Sequence, residues 1–310
     1  MSFSSVAKDE LIRQRLRGDD AASAAHTALT MTSGGLTLGR GGMAVHYTTE
    51  SESVARYVEK LSRRLYDVEA SALMSEKRGR GARSVIVTLR GSGCADIIEA
   101  CGLMSVGEGD GERIARFTRS ERCRIAFVRG AFLGAGSVSD PQKSYHLEIV
   151  CRNEALGREL ISILSEHGVR AKLRERKETH VVYVKEADMI SGVLALIGAH
   201  DAALRFEEVR AIKSINNDIN RIGNCDVANM QKTAEAAALQ AKGIELISRR
   251  MGLERLPNGL RQVAEARLNN REASLNDLAV ELGIGRSAVN YRLSKLMRLA
   301  DELRSKYGEE

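Results

Sequence analysis

The sequence of 310 residues is poor in aromatic residues and has no long apolar run, and each shortage excludes a class of protein. Tryptophan is absent and aromatic residues make up only 4%, so base stacking on aromatic side chains is not an expected mode of nucleic-acid binding. No apolar run approaches the roughly 20 residues that span a bilayer. The N-terminal stretch is charged too early for a secretory signal. We therefore expect a cytoplasmic protein with no membrane partner.

Cysteines are few and scattered, which argues against a metal cluster. They form no C-x-x-C pair and have no histidine at metal-ligand spacing. Their positions are Cys94, Cys101, Cys123, Cys151 and Cys225. An odd, dispersed set is typical of reduced thiols in a cytosolic core. We expect neither a metal nor another cofactor.

The first 200 residues contain one pattern of elements twice, about 100 residues apart. Each copy opens with a small-residue helix that runs into glycines, AASAAHTALTMTSGGL in the first and RIAFVRGAFLGAGSV in the second. A strand-like stretch, an amphipathic helix, a strand pair and a short apolar helix follow in each. In the first copy these include 43–48, 54–61, 84–89 and 97–103, and in the second 145–150, 156–164, 180–185 and 189–197. The predicted order is α-β-β-α-β-β-α, twice.

The predicted fold class is therefore α+β, with tandem pseudo-twofold repeats followed by an all-α domain. We expect a domain over 1–205, with repeats at about 10–105 and 121–200, and a helical linker over 206–255 that is rich in Ala, Gln, Asn and charged residues. The last domain, 256–310, has the pattern of a helix-turn-helix. Its middle helix, SLNDLAVELG, has Ser274 as N-cap with Asp277 three residues on, and Gly283 ends it.

The last helix has an apolar stripe and a basic outward surface. The stripe is Val289, Leu293, Leu296 and Leu299, and positions 286–298 hold four Arg or Lys residues and no acid. The outward residues, our predicted DNA contacts, are Arg286, Ser287, Asn290, Tyr291, Arg292, Lys295 and Arg298. A helix that enters the major groove needs such a surface. The alternative is a three-helix bundle with a solvated basic face.

Two glycines in the second small-residue helix predict a tight helix pair. Gly130 and Gly134 are four residues apart, and glycine within a helix costs roughly 1 kcal/mol relative to alanine. Close packing against the first small-residue helix would explain them. This pattern resembles the LAGLIDADG homing endonucleases, in which each of two such helices supplies an acidic residue to a metal-dependent nuclease site.

The acids of that site are missing here. The family's acid lies just before the motif's last glycine, where this sequence has Gly34 in the first copy and Ala135 in the second. Asp140 and Glu148 lie nearby but do not match the motif. Two-metal cleavage of phosphodiesters requires carboxylates to hold the cations. We predict no catalytic residue and no enzyme activity. For the histidines at 26, 46 and 146, we expect structural hydrogen bonds.

The sequence resembles the WhiA family of cell-division and sporulation regulators. The segments that carry the resemblance are FSSVAKDEL, FVRGAFLGAGSVSDPQKSYHLEI, INRIGNCDVANMQKT and the terminal helix-turn-helix. It implies a degenerate LAGLIDADG domain joined to a helix-turn-helix, and a nucleoid-associated transcription factor acting on cell-division, chromosome-segregation and, in sporulating relatives, sporulation genes. Expected partners are double-stranded DNA and, in actinobacterial members, a WhiB-type iron–sulfur regulator.

Basic residues in the repeats predict a second DNA contact. An extended strand would place Arg170, Lys172, Arg174 and Arg176 on one face. The first repeat has Lys77, Arg78, Arg80 and Arg83 at the comparable hairpin. The alternative is a solvated sheet. Two other functions stay open: a DNA enzyme, which the missing carboxylates disfavour, and an interaction scaffold whose only DNA contact is the helix-turn-helix.

Overall fold

The predicted repeat is present, and both copies have the order α-β-β-α-β-β-α. The computed structural model of the chain describes residues 2–39, 42–75, 84–104 and 109–307. Helix α1 (Phe3–Arg13) precedes the repeats. The first copy consists of α2 (Asp19–Ser33), β1 (Gly34–Gly39), β2 (Gly42–Thr49), α3 (Glu52–Leu65), β3 (Glu69–Ser75), β4 (Ser84–Arg90) and α4 (Cys94–Cys101). Helix α5 (Asp110–Phe117) connects it to the second copy, which consists of α6 (Glu121–Ala135), β5 (Gly136–Val138), β6 (Leu147–Cys151), α7 (Glu154–Glu166), β7 (Lys172–Arg176), β8 (Thr179–Val184) and α8 (Ala187–Ile197).

Each copy forms one four-stranded antiparallel sheet. The strand orders are β1-β2-β4-β3 and β5-β6-β8-β7, which are equivalent under the repeat. In the first sheet Tyr47 pairs with Val87, and in the second Ile149 pairs with Val182. These four side chains are buried. Because side chains alternate along a strand, one face of each sheet packs on the helices and the other faces outward.

Helices α2 and α6 pack side by side at the centre of the repeat domain. Both are largely buried, α2 mainly through alanine and threonine, and α6 through small residues such as Gly130 and Ala131 among larger apolar ones. A Cβ atom added at Gly130 would overlap the carbonyl oxygen of Ala25 and lie 2.7 Å from its carbonyl carbon. At Gly134 an added Cβ would lie 3.0 Å from the carbonyl oxygen of Leu29. The tight helix pair predicted from the two glycines is therefore present, and it relates the two repeats.

Over the residues that the structure describes, the C-terminal unit consists of helices. The chain forms two compact units, Met1–Ser214 and Ile215–Glu310. The helices are α9 (His200–Met251), a 3-10 turn (Leu253–Arg255), α10 (Asn258–Asn269), α11 (Leu275–Leu282) and α12 (Arg286–Tyr307). Ile244 and Ile247 of α9 are buried with Val263, Leu278 and Val289 in one core. The last turns of α9 therefore belong to this unit, which begins well before residue 256. Among the residues that the structure describes, no helix is long and apolar enough to cross a membrane.

Candidate nucleic-acid interface

Capping interactions fix the turn between α11 and α12. The backbone N–H of Asp277 donates to Oγ of Ser274 at 3.3 Å, and the backbone N–H of Ser274 donates to Oδ2 of Asp277 at 2.8 Å. The predicted capping box is thus present. Hydrogen bonds from the Ser274 side chain and backbone hold the pKa of the Asp277 carboxyl below its usual value. Gly283 ends α11 in the left-handed conformation, with φ of 65°.

Helix α12 separates an apolar side from a polar side, as its stripe predicted. Val289, Leu293 and Leu296 are buried against α10 and α11. Six of the seven predicted contact residues are exposed: Arg286, Ser287, Asn290, Tyr291, Lys295 and Arg298. The Lys295 ammonium lies 5.4 Å from the centre of the Tyr291 ring, within cation–π range. The exposed surface of 286–298 therefore presents cations, an amide and hydroxyl groups, with no carboxylate.

Arg292 is the seventh residue, and it does not project freely. Its side chain is half-buried, and Nη1 donates to the carbonyl oxygen of Gly259 at 3.4 Å. The guanidinium lies so close to Gly259 that an added Cβ there would be 3.2 Å from its Cζ. Helical spacing places Arg292 beside the buried stripe, and the long side chain reaches the first turn of α10. Arg292 thus positions α10 against α12.

A groove of about 590 Å³ adjoins the start of α12. Arg286 and Asn290 line it together with Asn229 and Lys232 of α9 and Arg267 of α10. From the sequence we assigned no role to these α9 residues. The only signal was that they fall within INRIGNCDVANMQKT, a segment that carried the family resemblance.

The basic strand of the second repeat is shorter than predicted. Strand β7 begins at Lys172, and Lys172, Arg174 and Arg176 are exposed on one face. Arg170 precedes the strand and forms an ion pair with Glu186 at 2.5 Å. Across the sheet Lys172 pairs in register with Tyr183 and Tyr183 with Glu148, so an acid lies on the same face. The comparable residues of the first repeat, Lys77, Arg78, Arg80 and Arg83, lie outside the described residues.

Comparison with known proteins identifies the family. Three family models match successive parts of the chain: the WhiA N-terminal LAGLIDADG-like domain (19–104), the WhiA LAGLIDADG-like domain (124–216) and the WhiA C-terminal HTH domain (219–300). Proteins of Clostridium novyi and Clostridium acetobutylicum, both named probable cell division protein WhiA, are each 36% identical over 98% of this chain and 99% of their own. The chain belongs to the WhiA family. The crystal structure of full-length DUF199/WhiA from Thermatoga maritima matches with a TM-score of 0.60 and 25% identity, over 97% of this chain and 99% of that one.

The WhiA HTH model begins at residue 219, within α9. The matched region therefore includes Asn229 and Lys232 as well as α10, α11 and α12. The family and the structure thus both extend the helix-turn-helix unit upstream of the proline at 257, where the sequence alone had begun it.

In this WhiA chain, cations lie at the ends of α2 and α6, where the motif comparison looked for the carboxylates of a metal site. The guanidinium of Arg152 donates to the carbonyl oxygen of Gly34, at the end of α2. The ammonium of Lys8 donates to the carbonyl oxygen of Leu133 at 3.1 Å, near the end of α6. Burial lowers the pKa of Lys8 to about 8, and the nearby Glu50 opposes that shift. Cations are favoured at helix C-termini. Two positive groups and no motif carboxylate do not fit a pair of divalent ions.

The three histidines singled out from the sequence, at 26, 46 and 146, each have a side-chain hydrogen-bond partner. His26 is completely buried, and its Nε2 lies 2.9 Å from Oγ of Ser62. Burial lowers the pKa of His26 to about 4, so it is neutral at physiological pH. Nδ1 of His46 lies 3.0 Å from the Thr37 hydroxyl, and Nε2 of His146, just before β6, lies 3.2 Å from the carboxylate of Glu148 in that strand.

Proposed function

We propose that this protein is a sequence-specific DNA-binding transcription regulator of cell-division, chromosome-segregation and sporulation genes, without nuclease activity. The observation that carries the proposal is the exposed, carboxylate-free surface of α12 over 286–298, mounted on a capped helix-turn-helix. Membership of a family named for cell division supports the choice of genes.

In the proposed complex the first turns of α12 lie in the major groove. Arg286 and Asn290 are placed to bond base edges, since Arg recognises guanine and Asn recognises adenine through paired hydrogen bonds. Lys295 and Arg298, further along the exposed side, bind phosphates and set the register of the helix.

The decisive experiment measures the affinity of the full chain for a DNA site selected from random sequence and for random DNA. We expect Asn290→Ala to lower specific affinity by about 1–3 kcal/mol and to change random binding less. Arg249→Gln, at an exposed position on α9, is the control for general effects of charge. Equal losses of affinity for both DNAs would show that Asn290 does not contact a base. A parent protein that shows no preference for the selected site would overturn the proposal.

The absence of nuclease activity is tested separately, by incubating the selected site with Mg²⁺ and Mn²⁺ and looking for cleavage. We expect no cleavage, because Gly34 and Ala135 offer no carboxylate to the metals. Metal-dependent cleavage by the purified protein would refute this part of the proposal.

A scaffold role for the repeat domain is the second candidate. Glu148, on the same sheet face as Lys172, and the pairing of Arg170 with Glu186 favour it, since both weaken the attraction of that face for DNA. Its proposed partner is a WhiB-type regulator, and pull-down of that protein by the full chain, with and without DNA, tests the interaction. We also propose a cytoplasmic, nucleoid-associated location, which imaging of a fluorescent fusion tests.

A further inference from the structure

The groove between α9 and α12 has the composition of an anion site. Twelve residues line it, among them three cations, four Asn or Gln residues and no carboxylate. Lys232 and Arg286 are exposed, and neither forms an ion pair or side-chain hydrogen bond within the part of the chain that the structure describes. From these features we infer that the groove binds a phosphate of the DNA backbone, so that α9 and α12 contact DNA together.

A buried arginine gives independent support. Arg267 is 1% exposed and lines the groove. Its Nη1 donates to the carbonyl oxygen of Ala273 at 2.5 Å, but its Nε is buried without a hydrogen-bond partner. A buried charged donor that lacks a partner is costly, and a bound anion would offset that cost. The guanidinium therefore adds positive potential at the base of the groove, below the exposed Lys232 and Arg286.

The start of α12 adds to the same potential. Arg286, its first residue, lines the groove, and the first turn of this helix carries no acidic residue. The helix dipole favours an anion at such an end. Because Arg286 and Asn290 belong also to the predicted DNA-reading surface, a phosphate in the groove lies next to the bases that α12 would contact.

This inference rests on the proposed function and makes α9 a positioning element of the complex. A phosphate bound by Asn229 and Lys232 of α9, beside the α12 residues that contact bases, fixes the angle at which α12 enters the major groove, because contacts from two different helices allow less rotation than contacts from one. Phosphate contacts carry no base information, so their loss should weaken specific and random binding alike.

The first test compares two variants of the full chain that lose the same charge. Lys232→Gln removes an exposed cation of the groove, whereas Arg249→Gln removes an exposed cation of α9 that does not line the groove and lies about 25 Å further along the helix. Affinity for the selected site is measured by fluorescence anisotropy at several salt concentrations. We expect Lys232→Gln to reduce the slope of log affinity against log salt by about 0.9, and Arg249→Gln to leave it unchanged. Equal slopes for the two variants would overturn the inference.

The second test uses the exposed cysteine of α9 as an attachment point. Cys225 is exposed, whereas the other four cysteines are buried. It lies one turn before Asn229, whose Nδ2 is 3.7 Å from the Cys225 sulfur. An iron chelate attached to Cys225 should cleave the bound site at one localised position upon addition of ascorbate and peroxide. Cleavage no greater than with free chelate would overturn the inference. Binding of inorganic phosphate in the groove without localised cleavage of the DNA would also overturn it.

The two proposals fail in different ways. If the parent has no affinity for DNA, both the proposed function and the α9 contact are refuted. If the parent binds its site normally, Asn290→Ala loses base preference and Lys232→Gln matches Arg249→Gln, only the α9 contact is refuted.

Discussion

Replacement of Gly130 by alanine should destabilise the repeat domain, although alanine is the better helix former. The added Cβ would lie 2.7 and 2.8 Å from the backbone carbon atoms of Ala25, where ordinary contacts begin at 3.4 Å. Helix α2 must therefore move by at least about 0.7 Å. Its backbone cannot relax as a flexible side chain would. Overpacking of this kind costs about 1–3 kcal/mol, and the helix propensity of alanine offsets roughly 1 kcal/mol of it.

The chain supplies a matched control for this prediction. Gly192 lies within α8, and an added Cβ there has no heavy atom within 4 Å. Gly192→Ala gains the helix propensity without overpacking, so the difference between the two variants isolates the cost at the α2–α6 contact. At about 2–4 °C per kcal/mol, Gly130→Ala should unfold several degrees below Gly192→Ala. Thermal unfolding of the full chain, with hydrogen exchange of the α2 and α6 peptides, measures this. If Gly130→Ala unfolds with or above Gly192→Ala, the tight packing does not exist in solution.

Three further predictions concern the fold and the basic strand. Burial keeps His26 neutral in the folded chain, whereas the unfolded chain binds a proton at this residue as pH falls from about 6.5 to about 4. The free energy of unfolding should therefore fall by up to about 3 kcal/mol in that window. It should fall less in His26→Gln, and denaturant titrations at each pH measure the difference. Ser274→Ala should cost the C-terminal unit about 1 kcal/mol through loss of the cap, and an unchanged denaturation midpoint would contradict this. If Lys172, Arg174 and Arg176 contact DNA, their joint replacement by Gln should flatten the salt dependence of log affinity by up to about 3 units; an unchanged slope in the folded variant would mean a solvated strand.

Much of this protein was predictable because its local patterns have a physical period. Alternation every second residue marked β2 and β6, and apolar spacing of three and four marked α3, α7 and α12. The Ser274–Asp277 spacing predicted a capping box for the same reason, since both partners lie within one helical turn. Two glycines four apart predicted a helix pair, because only a close backbone neighbour justifies their cost.

The patterns failed where a contact joins distant residues or where a pattern was too short. Helix α5 has only eight residues, and no periodic signal marked it. The polar character of α9 concealed the apolar positions, Ile244 and Ile247 among them, that anchor its last turns in the helix-turn-helix core. We therefore placed the start of that unit too far along the chain.

The sequence by itself determined the order of the elements within each repeat, the repeat, the capped helix-turn-helix and the lack of motif carboxylates at Gly34 and Ala135. Each of these depends on residue identity at a fixed local spacing. Only the tertiary structure decided what long cationic side chains do. Arg292 and Arg170 were both predicted to contact DNA, which stays a prediction; the structure adds that Arg292 bonds Gly259, 33 residues away, and that Arg170 pairs with Glu186. The long, flexible side chain of an arginine can reach several hydrogen-bond acceptors. Which acceptor it binds depends on the elements that the fold places beside it.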